Sequence, residues 1–315
     1  MTLLLLLCGL GLLAIPACAR PVGRRLPPSE WAKACAALLA SGAIVVEASL
    51  ALQAAPTVLR AVGLEGVAEL CEHALGPVAP GGEPLGIAAA VAATMVALLA
   101  GWSVLAARHR RMVSVDPEIG WHTTLGGHEL VVVPSGEPVA FSTAGRPGQV
   151  ILTNGLIAAL SEEELAAVFR HELAHLQHRH QRYLLLARAV ERSLGLLPLV
   201  RRATAALRCA VERWADEEAA GASGAAGRAS VHAALLRVAE LVAMPDVAAF
   251  TTPGTVAERL EALQADPAGG PVVVRRALVY VPAGLLLLAA VVLLGGVLVE
   301  QVTVLHLLAG LCPPH

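Results

Sequence analysis

The sequence predicts an α+β domain set within a mostly helical membrane protein. Two observations predict it. Four long apolar segments are present, and between the third and fourth lies one large polar block in which β-rich runs give way to a strongly capped helical run. Composition agrees: of 315 residues 56% are hydrophobic and mean hydropathy is +0.67, well above that of an ordinary soluble domain. The formal net charge of −2 gives no general attraction to nucleic acid, so no direct nucleic-acid partner is expected. Lys33 is the sole lysine, and the bias toward Ala, Leu, Val, Gly and Arg is given no functional weight.

The apolar segments are Thr2–Ala19, Ala34–Ala55, Leu85–Ala107 and Ala277–Val299. Each approaches or exceeds the roughly 20 residues needed to cross a bilayer. The third and fourth carry no charge. The second carries Glu47, a functional candidate at that depth unless it sits near the outer interface and is solvated there. The first segment also fits a cleaved signal peptide at Ala17-Cys18-Ala19, but its start lacks the usual basic residues. Basic residues flank the other ends: Arg20, Arg24, Arg25 and Lys33, then Arg108, Arg110 and Arg111, then Arg275 and Arg276. The 56–84 loop has only Arg60 against Glu65, Glu69, Glu72 and Glu83. The positive-inside rule therefore puts both termini outside and residues 108–276 in the cytoplasm. This gives three parts: residues 1–107 with three membrane helices and an outer loop at 56–84, a cytoplasmic block at 108–276, and residues 277–315 with a fourth membrane helix and a short outer tail. Within that tail, "VTVLHLLAGL" (302–311) is too short to span and is expected at the interface or against the other helices. Membrane lipid is an expected partner; oligomeric state is not set by the sequence. Six cysteines lack CxxC spacing, and Cys71 and Cys312 both fall on the outer side, either paired or as separate thiols.

Inside the polar block, "HELVVVP" (128–134), "EPVAFST" (137–143) and "GQVILTN" (148–154) read as strands separated by Gly, Pro and Ser clusters. Then the period changes. Ser161 with Glu164 forms a capping box, Glu162 and Glu163 fall in the first turn, and Leu165, Val168, Phe169 and Leu176 follow at helical spacing. Helices are expected over about 162–181, over 183–197 ending before Pro198, and over 203–220 stopped by Gly221.

The first of these helices holds "FRHELAHLQHRH" (169–180). His171 and His175 are four apart, so they share a face and can grip one ion. Glu172 can reach a water on that ion, which is the HExxH arrangement of two metal ligands and a general base. On the third helix, "VERWADEEAA" (211–220) sets Glu212 and Asp216 four apart. Glu212 can complete a three-ligand zinc site with one position left for water. Asp216 is suited to accept a ring N–H from a ligating His and so fix its tautomer. Taken singly, each motif also reads as a solvated helix face; the two together, each on a predicted helix, favour the metal. The chemistry this implies is metal-assisted peptide hydrolysis, with Glu172 taking the proton of the attacking water and returning it to the leaving amine.

"HELAH" with "ERWAD" resembles the BlaR/MecR-type membrane zinc metallopeptidases, whose cytoplasmic protease lies between the third and fourth membrane helices. The resemblance extends over "GQVILTNGLIAALSEEELAAVFRHELAHLQHRH" (148–180) and "TVAERLEAL" (255–263). It implies a zincin-like metalloprotease fold, zinc ligands His171, His175 and Glu212, base Glu172 and supporting Asp216. It also implies a cytoplasmic protein substrate, for this family a winged-helix repressor. "HLQHRH" is similar to the HtpX and CAAX-protease type as well. In HtpX, however, membrane helices separate the two motifs, and "YLLLARAVERSLGLLPLV" (183–200), with Arg188, Glu191 and Arg192, is a poor span. Only about 15 residues follow the fourth span, so the penicillin-binding sensor of the BlaR/MecR type is absent and β-lactam sensing does not carry over. Its signal is instead expected through the helices or a partner, with Glu47 and the outer loop as receiving surface.

His178 and His180 read as polar groups at a helix end, with a relay or substrate role as the alternative. Cys209 reads as a buried structural thiol, with an inhibitory metal contact as the alternative. "PVAFST" reads either as a core strand or as an edge along which an extended peptide adds. Three function classes follow: a regulatory membrane zinc protease, a quality-control protease of HtpX type, or a zinc-binding membrane receptor without turnover.

Overall fold

The computed structural model describes residues 2–75, 82–112, 120–125, 127–143, 148–221, 224–242, 253–265 and 272–311. It is predominantly helical, with one small sheet. The apolar segments form α1 (Thr2–Cys18), α3 (Pro28–Ala61), α5 (Gly82–Met112) and α12 (Val272–Leu311), with the short α2 (Arg20–Gly23) after α1. Two helices, Pro28–Ala61 and Val273–Gly296, are long and apolar enough to cross a membrane. The other two apolar stretches, Thr2–Cys18 and Gly86–Trp102, are shorter. At about 1.5 Å per residue each covers somewhat less than a hydrocarbon core of about 30 Å. The described faces of these helices point large apolar residues outward, among them Leu4, Ile87, Leu98, Leu285 and Val292. That pattern suits a surrounding of lipid better than one of water.

Most of the described residues in the 56–84 stretch are helical rather than a loop. α3 runs through Pro56 to Ala61, α4 (Glu65–Leu75) follows, and α5 begins at Gly82. α4 is amphipathic and turns Ala68 fully inward against the helices it packs on, α3 and α12. Residues 302–311 continue α12 without a break. Cys312 lies outside the described residues, so its pairing with Cys71 does too.

α1 crosses α3 closely because both present glycine at the contact. A Cβ on Gly9 would lie 3.1 Å from the Gly42 carbonyl oxygen, and one on Gly42 would lie 3.0 Å from that of Gly9. Small residues let helix backbones approach in this way inside a membrane. Leu5, Leu12 and Leu13 of α1 are buried in the main core as a result.

Four strands form one sheet in the order β1-β2-β4-β3: β1 (Trp121–Leu125), β2 (His128–Val133), β3 (Ala140–Thr143) and β4 (Gln149–Thr153). Only β2 and β4 are parallel, in register Val131 to Ile151. The sequence reading missed β1, whose "WHTTL" lacks the apolar run that marks the others. β4, central and buried at every position, leads through Thr153 into α6 (Asn154–Ala159), the Thr153 side chain capping that helix by accepting from Leu156 N–H.

α7 (Glu162–Gln177) opens with the expected capping box, in which Ser161 and Glu164 satisfy each other's free backbone donors. It ends about a turn earlier than its apolar spacing suggests, because Arg179 takes a left-handed φ of 53° and reverses the chain. α8 (Gln181–Leu194) and α9 (Pro198–Ala220) follow. α9 starts five residues before the expected point. Pro198 occupies its first turn, where a missing N–H costs nothing, so it begins this helix as well as barring the previous one. Gly221, at φ 56°, stops α9.

α10 (Gly224–Val242) and α11 (Pro253–Gln264) then pack against α9, and α10 also against α7. The buried faces of α8 (Ala187, Val190, Leu194) and α9 (Val200, Ala203, Leu207, Val211) join the same apolar core as α1 and α3. At their junction Arg20 and Arg24 both bind Glu258 Oε1 at 2.6 Å, and Arg213 donates to the Arg24 carbonyl at 2.9 Å.

Candidate metal centre

α7 and α9 lie side by side, and this brings the two sequence motifs together. His171 and His175, one turn apart on α7, face Glu212 on α9. The Nε2 atoms of the two histidines are 3.2 Å apart. Glu212 Oε2 lies 3.4 Å from His171 Nε2, and Oε1 lies 3.7 Å from His175 Nε2. Ligand bonds of about 2.0–2.2 Å in a tetrahedral site set the ligand atoms roughly 3.3–3.6 Å from one another. The three donors match that triangle, and two imidazoles with one carboxylate are a donor set zinc accepts. The residues therefore fit the ion.

Asp216 stands one turn beyond Glu212 and is 2% exposed. Its Oδ1 accepts from His171 Nδ1 at 3.0 Å, which leaves Nε2 of that ring to face the cluster. Arg259 of α11, which the sequence reading did not single out, closes the far side. It donates from Nε to Asp216 Oδ2 at 2.8 Å and from Nη2 to Oδ1 at 2.7 Å, and its Nη1 lies 3.3 Å from Glu212 Oε2. Burial opposes ionisation of both carboxylates. The His171 hydrogen bond and the Arg259 charge nonetheless hold Glu212 well below the ordinary range, and Arg259 does the same for Asp216. At His171 burial is outweighed by Asp216 and Glu212, which raise the ring to about 10. His175 has no such carboxylate at Nδ1, and burial leaves it below the ordinary value.

Glu172 lines a cleft of about 190 Å³ beside His171 and Glu212. Asp216 and Arg259 also line it, and the rest of its wall is apolar, including Val168 on α7, Val231 and Leu235 on α10, and Ala140 of β3. β3 is an edge strand, with β4 as its only neighbour among the described strands.

The remaining candidates separate clearly. His178 is half-buried, 3.2 Å from Glu218 Oε1. His180 is not a solvated helix end: it is fully buried, with its Nδ1 3.0 Å from that of His175. The sequence hides this because the reversal at Arg179 is not announced by a glycine. Cys209 donates from Sγ to Glu258 at 3.2 Å, burial with that carboxylate pushes its thiol up to about 11, and it is not among the donors that meet at the cluster. Arg259 was legible only indirectly: a buried Asp216 needs a countercharge, but nothing local says which arginine supplies it.

The family model described as Peptidase family M48 matches residues 106–211. Curated relatives match over shorter stretches. The "Protease HtpX homolog" of Acidiphilium cryptum is 29% identical over 89 residues, 28% of this chain and 31% of the relative. That of Aquifex aeolicus is 35% identical over 71 residues, 22% and 24% of the two chains, and that of Thermodesulfovibrio yellowstonii is 43% identical over 53 residues, 16% and 19%. The chain thus spans less than a third of the length of these relatives. No solved structure matches. Over residues 106–211, which hold His171, Glu172 and His175 and stop one residue short of Glu212, the chain is similar to the membrane metalloproteases of family M48.

Proposed function

We propose that this protein is a membrane-embedded zinc endopeptidase that cleaves a protein substrate. The observation that carries the reading is the triangle of His171, His175 and Glu212 donors at 3.2, 3.4 and 3.7 Å, with Glu172 on the adjoining cleft. His171, His175 and Glu212 would hold the zinc, which would supply a Lewis acid and lower the pKa of a bound water. Glu172 is placed to take a proton from the attacking water and deliver it to the departing amine, so one carboxylate would serve as base and then acid. Asp216 keeps His171 turned with Nε2 inward, and Arg259 keeps Asp216 and Glu212 ionised. An extended peptide laid along the edge of β3 would place backbone against strand and a side chain into the apolar cleft. Removal of zinc from the purified protein by chelation should abolish cleavage of an unfolded protein such as casein, and zinc alone should restore it. Cleavage that persists without metal would refute the reading.

The finer assignment is a regulatory protease of BlaR/MecR type, with its catalytic block in the cytoplasm and a winged-helix repressor as substrate. It is supported by the segment order and by α8, whose 14 residues carry Arg182, Arg188, Glu191 and Arg192 and so read as a poor membrane span between the two motifs. A second reading, quality control of many unfolded or membrane proteins, is favoured by the relatives' shared description as HtpX homologs. Comparing cleavage products in cells with active protein and with the Glu172→Gln variant separates them. One accumulating repressor supports the first, and a broad set of substrates supports the second.

A further inference from the structure

His175 lacks the carboxylate that Asp216 gives His171, and what stands in its place is another imidazole. We propose that His180 is a positioning residue: it accepts the Nδ1–H of His175 and so keeps His175 Nε2 bare for the metal. The inference rests on the reading of His175 as a ligand.

The geometry is built by the turn between α7 and α8. Arg179, at φ 53°, folds the chain back so that the His180 amide donates to the His175 carbonyl at 3.0 Å. The His180 ring then lies beneath His175, Nδ1 to Nδ1 at 3.0 Å. Trp214 packs on it with ring centres 4.7 Å apart, and His178 and Tyr183 close the sides at 5.7 and 6.3 Å. The ring is 0% exposed, and its Nε2 is buried without a hydrogen-bond partner among the described residues.

Two neutral rings meeting Nδ1 to Nδ1 share one proton between them. If His175 carries it, His175 Nε2 has a free lone pair, His180 Nδ1 accepts, and the His180 proton sits on its Nε2. If His180 carries it, the His175 proton sits on Nε2, pointing at His171 Nε2 and Glu212, and that ring cannot coordinate. One hydrogen-bond direction therefore decides whether the triangle has three donors or two. At His171 the matter is settled by a carboxylate that only accepts. At His175 it is settled by a group able to do either, so metal affinity depends on the acceptor form of His180. That form leaves an N–H among aromatic rings, a cost set against the role of the other nitrogen.

The test uses the full-length protein in detergent micelles. Zinc affinity is measured by competition with a chromophoric chelator for wild type, His180→Phe, His180→Asn and His175→Ala. His180→Phe fills the space without an acceptor and should bind zinc about 10–100-fold more weakly, the usual effect of losing such a partner. His180→Asn can present its Oδ1 near the lost Nδ1 and should recover affinity to within a few fold. Unchanged affinity in His180→Phe overturns the proposal, as does an Asn variant as weak as the Phe variant, since filled volume would then be what matters. Because a variant can fail to fold, the wild-type protein labelled with ¹⁵N-histidine provides a second reading. Long-range ¹H–¹⁵N correlations of the zinc-loaded form should place the His175 proton on Nδ1 and the His180 proton on Nε2; the opposite placement overturns the proposal. Full zinc affinity in His175→Ala would instead refute the ligand assignment beneath it, so the two failures are told apart.

Discussion

Glu172 is the residue on which the proposed chemistry turns, because it is the group on the cleft free to move a proton. Glu172→Gln should retain zinc and lose about 10²–10⁴ in rate, measured as turnover of a defined peptide beside metal content. Wild-type turnover in that variant would remove Glu172 from the mechanism. Glu212 and Asp216 divide differently. Glu212→Ala removes a donor from the triangle and should lower zinc content together with activity, whereas Asp216→Ala should weaken affinity or rate by about 10–100-fold without abolishing binding. Full zinc occupancy in Glu212→Ala would move the third ligand elsewhere. That His171, Glu172, His175, Glu212 and Asp216 would come together was legible in the sequence, because fixed spacings on helices place side chains on one face without knowledge of the fold. Arg259 and His180 were not, because their roles depend on contacts made across a chain reversal or between distant helices.

At the level of elements, α11 matters beyond its 12 residues. Its consecutive residues Glu258 and Arg259 face different groups: Glu258 meets Arg20 and Arg24, and Arg259 enters the centre. Arg259 and Asp216 have side-chain exposures of 14% and 2%, so removing either charge strands the other. Arg259→Ala should therefore destabilise the fold by about 3–5 kcal/mol, read from thermal or denaturant unfolding in micelles. A loss below about 1 kcal/mol would mean that Asp216 relaxes toward water. Helix starts were the most legible elements, since Ser161 with Glu164 and Pro198 are local signals. The ends and β1 were less so: Arg179 reverses the chain without a glycine, and "WHTTL" is held by pairing with β2 rather than by its own apolar content.

For the whole molecule, the arrangement of Arg20, Arg24, Arg25, Arg275 and Arg276 around one end of the helices gives the charge asymmetry a structural focus. Arg276 pairs with Glu30 there at 2.5 Å, and Arg275 donates to the Arg25 carbonyl at 3.1 Å. If that end faces the cytoplasm, a reporter that works only in the cytoplasm should be active when fused after Gly127 and inactive when fused at His315. The reverse pattern would place the polar block outside. The number of spanning helices was less legible than their existence, because α1 and the apolar part of α5 fall near the length at which a buried helix and a span look alike.

The shared core of α1, α3, α8 and α9 has a practical corollary for anyone cutting this chain. Residues 108–276 look like a detachable polar block, but the face of α9 that carries Val200, Ala203, Leu207, Val211 and Trp214 shares one core with α1 and α3, and the same helix presents Glu212 and Asp216. Released alone, the block would show water a greasy strip on the back of the helix that carries Glu212. Expression of 108–276 by itself should give aggregated or zinc-poor material, whereas co-expression with 1–107 should rescue it. A monodisperse, zinc-loaded fragment would mean that the catalytic block and its anchor are separable after all.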